Sequence, residues 1–164
     1  MGGMRVKRFL LTSLLLLAVI FCACSSSSRA PLALFDAAFE AEVEGEASGA
    51  SFAGKLTVSK GSENGARTAT FTFYAPSAIA GTCVMRDESG DVWLSAGEVT
   101  VSAPQAYACL LDLFLFDEVA HVSRSDTGVS VTGETFSLEF ATDGTPRSLE
   151  RGDIRVHVLS FSQK

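Results

Sequence analysis

Histidine is almost missing: His121 and His157 are the two in 164 residues, and both fall in stretches that read as strands. Neither has a carboxylate or cysteine spaced to complete a catalytic relay, nor the three or four clustered ligands of a zinc site. No glycine-rich phosphate loop follows a strand and opens a helix; beyond Gly2 and Gly3 the glycines stand singly in turns and strands. The chain is therefore expected to be no enzyme, with no cofactor and no metal. Basic residues are also in deficit, 13 against 19 acidic for a net charge of −6, which argues against nucleic acid and against electrostatic adhesion to anionic lipid. Long apolar runs are lacking too. The best of them, Phe9 to Phe21, is broken by Thr12 and Ser13 and falls short of the roughly 20 residues that span a bilayer.

That run has another use. Arg5, Lys7 and Arg8 precede it and small residues end it, the layout of a cleaved export signal over residues 1–23. Its end resembles the lipobox of bacterial lipoproteins, where a small residue precedes the cysteine that is acylated. Cys24 follows Ala23, whereas Cys22 follows the bulky Phe21, so Cys24 is the expected lipidation site. Residues 24–31, with Ser25 to Ser28, read as a flexible tether. The expected location is outside the cytoplasm, held at the cell membrane by a diacyl anchor, which binds stably where one chain would not. Loss of the signal removes three basic residues and no acidic one, leaving ten against 19, a net charge of −9.

Residues 32–164 have the length of one domain. Cys83 and Cys109 remain there as a pair; export permits a bridge, and two unbridged thiols acting as small hydrophobes are the favoured alternative. Phe39 to Glu46 alternates strictly, with Phe39, Ala41, Val43 and Gly45 opposed to four glutamates. This is the period of a half-buried strand, and a row of residues two apart makes a solvated face, not a calcium cage. Phe52, Gly54, Leu56 and Val58 mark a second strand; Ala69, Phe71 and Phe73 mark a third beyond the Asn64-Gly65 turn. Short strands follow at Thr82 to Arg86, Asp91 to Ser95 and Glu98 to Ser102, with Trp93 as a core or rim anchor. Five more are expected between Val119 and Phe161.

Between these groups, Ser102-Ala103-Pro104 opens a predicted helix, Gln105 to Phe116, in which only Gln105 and Asp112 are plainly polar. Apolar on all sides, it needs cover on more than one face. It either fills a core or lines a greasy cavity, and Leu110 to Phe116 could also run as a buried strand. The predicted class is α+β, mostly antiparallel β: an open half-barrel or strongly curved sheet with one or two helices on its concave face.

The order of features resembles the LolA/LolB superfamily of extracytoplasmic lipoprotein and lipid carriers, particularly short lipoproteins of Gram-positive bacteria. The likeness lies in the two opening strands rich in Glu, Gly and Phe, in Phe71-Thr-Phe-Tyr-Ala-Pro76 followed by Gly81, in Tyr107 to Phe116, and in Asp143-Gly-Thr-Pro146. It covers most of residues 35–164. It implies an eleven-stranded open half-barrel, plugged by helices, with an apolar cavity for acyl chains of a lipid or lipoprotein. Alternation alone nominates Phe52, Leu56, Phe71, Phe73, Leu110, Leu113 and Phe114 as cavity residues. The expected partners are the membrane and such a ligand, with the domain itself a monomer; the competing class is an envelope scaffold with a filled core.

Overall fold

The computed structural model describes residues 30–60, 67–116 and 121–164. The signal segment, Cys24, most of the tether, the Asn64-Gly65 turn and the start of the strand expected at Val119 lie outside these residues. A 3-10 turn, Ala30–Asp36, leads into β1 (Phe39–Ala47), β2 (Ala50–Lys60) and β3 (Arg67–Ala75). Their alternation decides their pairing. Phe39, Ala41, Val43, Phe52, Leu56, Val58, Ala69, Phe71 and Phe73 are all buried on one face, and any one-residue slip would turn a set of them to water. The meander continues outward through β4 (Cys83–Arg86), β5 (Val92–Ala96) and β6 (Val99–Ser102).

A second meander comprises β7 (His121–Ser125), β8 (Gly128–Thr132), β9 (Phe136–Phe140), β10 (Pro146–Arg151) and β11 (Ile154–Gln163). The last strand pairs antiparallel with the first, from Phe39 opposite Gln163 to Ala47 opposite Ile154. One 11-stranded sheet results, ordered β6-β5-β4-β3-β2-β1-β11-β10-β9-β8-β7. Its edges, β6 and β7, are not joined, so the sheet is curved and open, as the sequence led us to expect.

The apolar segment departs from expectation. Only Gln105–Tyr107, a 3-10 turn, and α1 (Ala108–Leu111) are helical. Ser102 stays in β6 and caps nothing; Pro104 holds the N-cap position, without a side-chain cap. At Asp112 the backbone leaves the helix, at φ −94° and ψ 4°. A straight helix would bury one stripe against the sheet and leave the other sides wet. Ending the helix early lets Leu110, Leu111, Leu113, Phe114 and Phe116 all be buried.

A second departure lies in β11. Glu42 pairs with Ser160 and Val43 with Val158, so Leu159 is an extra residue, 59% exposed. The bulge reverses the facing of the strand beyond it. Alternation along Ile154 to Phe161 would turn Ile154, Val156, Val158 and Ser160 inward; Ile154 and Val156 are buried, but past the bulge Phe161, not Ser160, meets the rings of Phe35 and Phe39, at 5.5 and 5.4 Å.

Phe35 is the centre of the aromatic packing. From the first 3-10 turn it stacks on Phe114 at 5.0 Å and meets Phe39 and Phe116 at 5.6 and 5.3 Å. Outside the core, the glutamate row of β1 is pinned at one end: Glu40 accepts from Lys164 at 2.6 Å and Lys55 at 2.9 Å. These two bonds, that from Lys164 foremost, hold its carboxyl below the usual range. Trp93 is a rim anchor, half-buried, with its indole N–H donating to Asp87 at 2.9 Å.

Gly54 makes the tightest demand within β2. A Cβ there would lie 2.4 Å from the Thr72 carbonyl oxygen and 2.5 Å from the Phe71 ring. Gly54→Ala should therefore lower unfolding stability by about 1–3 kcal/mol in urea melts; an unchanged midpoint would refute this close approach. A pH effect follows at Asp87. The Trp93 N–H, and after it the backbone amides of Asp91 and Ser89, depress its carboxyl from the ordinary 3.8. Its contribution is complete above pH 3.8 and is lost as pH falls below that value through the lower folded pKa. Asp87→Asn should flatten the acid limb of Trp93 fluorescence in that window.

Candidate functional site

The apolar segment 103–116 forms a plug across the inner face of the sheet, and two arginines hold it. Arg86 of β4 donates to both carboxylate oxygens of Asp112, at 2.7 and 2.9 Å. Arg151 of β10 donates from its two terminal nitrogens to the carbonyl oxygens of Asp112 and of Leu115, the latter at 2.6 Å. Its guanidinium also lies 5.4 Å from the Phe116 ring centre and 5.9 Å from that of Phe136. These bonds hold the segment through one side-chain carboxylate and two main-chain carbonyls, and they come from strands on either side of the central β1–β11 pair.

Where α1 meets the ends of β1, β2 and β3, the packing is incomplete. An open groove of about 350 Å³ remains. Phe52 and Phe73 form its floor, Ile79 of the β3–β4 loop one lip, and Ala106, Tyr107 and Leu110 the plug side. Ser51 is the one residue with a polar side-chain oxygen among the aliphatic and aromatic lining, apart from the Tyr107 hydroxyl. Ile79 and Tyr107 are 38% and 40% exposed at its mouth. Across Ser51, Phe52 and Pro76 the groove adjoins a wider, shallower concavity of about 530 Å³, whose walls include Glu44, Glu46, Arg155 and His157. By the strand register those charged side chains stand on the outer face of the sheet, opposite the slot, and the two concavities meet around the strand ends.

Of the residues nominated from alternation, the fold brings Phe52, Phe73 and Leu110 together at the groove. Leu56 and Phe71 are fully buried beneath the plug and Leu113 within it, and Phe114, also buried, borders a smaller pocket with Leu32, Phe35 and Arg67. Alternation marks which face a residue takes, but cannot say whether another side chain covers it. Ile79 and Tyr107 went unnominated. An isoleucine between Pro76 and Gly81, in a stretch otherwise made of small residues, was the available signal.

Cys83 and Cys109 are both free thiols. Cys83 is half-buried beside the Thr72 hydroxyl, 3.3 Å away. Cys109 stands on the groove wall with its outer side at the surface; partial burial, then the nearby Asp153 and Asp112, push its thiol above the ordinary range. It therefore stays protonated at neutral pH. His121 and His157 are exposed on strands, and among the described residues no three His, Cys, Asp or Glu side chains gather as a metal site would require.

The architecture is that of an open, plugged, antiparallel half-barrel. This is the open, plugged sheet that the resemblance led us to expect. No family model matches the chain, and no curated protein matches it. Among solved structures it is similar to MucB, with 17% identity and a TM-score of 0.52, over 86% of this chain and 59% of MucB. A structure of MucB in complex with MucA(peri) aligns at 15% identity and 0.50, over 85% and 56%. A LolA superfamily protein from Nitrosomonas europaea aligns at 11% identity and 0.43, over 85% and 94%. The likeness is one of fold, and the chain spans little more than half the length of MucB.

Arg151→Met should release the plug. Loss of two bonds from a charged donor takes the guanidinium partner from the Leu115 carbonyl and leaves the Asp112 carbonyl with only the Leu115 N–H, an expected cost of about 2–4 kcal/mol. Amide exchange in 108–116 should accelerate while β1 and β11 stay protected; uniform protection would show that the arginine does not hold the segment.

Proposed function

We propose that this protein is a lipoprotein anchored outside the cytoplasm through Cys24, and that its domain binds one acyl chain of a lipid or lipoprotein in the Phe52–Leu110 groove. The observation that carries this is an open slot lined almost wholly by aliphatic and aromatic side chains. Each acyl methylene withdrawn from water into it contributes about 0.8 kcal/mol. The slot's volume falls within the range of small-ligand sites. The chemistry asked of the protein is burial and release, without bond making, so the reading is of a binding protein and not an enzyme. A second reading, a protein-interaction module, is favoured by one finding: MucB, which shares the fold, has a structure in complex with MucA(peri).

Three measurements test the acyl reading. Native mass spectrometry of the gently purified chain should show a copurifying lipid mass that denaturation removes. Ile79→Asp, at the exposed lip, should fold normally yet weaken uptake of a fluorescent fatty acid by about tenfold, because a carboxylate at the mouth must lose water when the chain enters. Bound fatty acid should also slow maleimide labelling of Cys109 and leave Cys83 unaffected. Apo mass, unaltered uptake and unprotected Cys109 together would favour the protein-interaction module. Separately, Cys24→Ser should abolish fatty-acid labelling in cells and shift the protein out of the membrane fraction; retention there would remove the anchor.

A further inference from the structure

Natural sheets guard their edges with charge, proline or bulges, and the two edges here are guarded unequally. In β7, pairing of Ser125 with Gly128 across a two-residue turn makes Ser125, Ser123 and His121 the residues bonded to β8. The main chain of Val122 and Arg124 therefore faces outward, and Arg124 supplies a charge. In β6, Ala96 opposes Val99 across Gly97-Glu98, with Gly97 at φ 61°, and the Ala103 N–H donates to the Val92 carbonyl. By the alternation of an antiparallel ladder, Val99 and Val101 bond β5, and the main chain of Thr100 and Ser102 faces outward. No charged side chain, proline or bulge lies in these four residues.

The side chains extend the contrast. All four residues of β6 are exposed, Val99 at 64% and Val101 at 50%. The two valines share a face with Leu94 and Ala96, their partners on β5. Acid stands at both ends of this strip. Glu98 is exposed in the β5–β6 turn, and Asp87, Glu88 and Asp91 form the β4–β5 turn at the Ser102 end.

We propose that β6 is a docking strand for an extended segment of a partner protein, apolar at alternate positions and basic at its ends. Main-chain bonds to Thr100 and Ser102 would add a twelfth strand to the sheet, with apolar partner residues beside Val99 and Val101. Acid at both ends selects cationic flanks whichever way the segment runs. The same charges disfavour a second copy of this chain. Antiparallel pairing would set each Glu98 against the acidic turn of the other copy, parallel pairing would set Glu98 beside Glu98, and the chain already carries a charge of −6.

The test titrates the isotope-labelled full chain, in mild detergent, with a short synthetic peptide bearing lysine at each end and valine alternating with serine between. The largest amide shifts should fall on Thr100 and Ser102. Thr100→Pro removes an outward N–H without touching the β5 ladder, as edge strands tolerate, and should abolish those shifts while the spectrum stays dispersed. If that variant does not fold, Val99→Lys with Val101→Lys, at exposed positions, gives the same comparison. A glutamate-ended peptide should bind about tenfold more weakly, and Glu88→Lys with Glu98→Lys should close the gap. Shifts away from β6, shifts that survive Thr100→Pro, or equal affinity for both peptides would overturn the proposal. So would concentration-dependent sedimentation of the peptide-free chain that Thr100→Pro reverses, since it would give the edge to a second copy.

Discussion

The structure depends on one topological constraint: β6 and β7, consecutive in the chain, lie at opposite edges of the same sheet. The connection between them has to cross the face that holds every inward Phe, Leu and Val of both meanders. A polar connection would leave that face wet, and a long amphipathic helix would offer it one stripe. The chain answers with a short helix that breaks at Asp112 and continues as Leu113, Phe114 and Phe116, all buried. Hydrophobic burial supplies attraction without direction. Direction comes from Arg86 and Arg151, whose bonds to the Asp112 carboxylate and to the Asp112 and Leu115 carbonyls fix where the segment lies.

The groove follows from the same arrangement. A plug of four α-helical residues cannot reach every apolar position of an eleven-stranded sheet. What it leaves uncovered lies between Phe52, Phe73 and Ile79, beyond the first turn of α1. The core around Phe35 is closed by interlocking rings, whereas at the far end the rings of Phe52 and Phe73 form a floor that nothing caps. One plug thus creates a solid half and an open half.

Strands were legible in the sequence because alternation is a local property. In β1 and β2 every inward residue named from the period is an inward residue in the fold, except that Gly45 is only half-buried. The period failed at Leu159, where an inserted residue shifts the facing, and no composition marks a bulge in advance. It failed again at Gln105 to Phe116, because a segment apolar on all sides carries no phase to distinguish helix from extended chain. The site was legible in part for the same reason. Phe52, Phe73 and Leu110 were found as apolar and inward, but their difference from Leu56, Phe71 and Leu113 is set by what packs over them. That depends on tertiary contacts between β1–β3 and the plug, which no periodicity reports. Ile79 lies in a loop and Tyr107 in a single 3-10 turn, so neither sits on a strand whose period could mark it.

The pairing of the first strand with the last has a mechanical side. Lys164 donates its backbone N–H to the Ala38 carbonyl, and the Gln163 side chain reaches Leu34, so the chain enters and leaves the domain at one pole. Ala47 and Ala50, at the far end of β1, border the groove. Nine residues of strand at about 3.3 Å each separate the two poles by roughly 25–30 Å. An anchor at the proposed Cys24 would therefore pull on the pole opposite the mouth. So tethered, the domain would be held by its base with the opening of the groove turned outward.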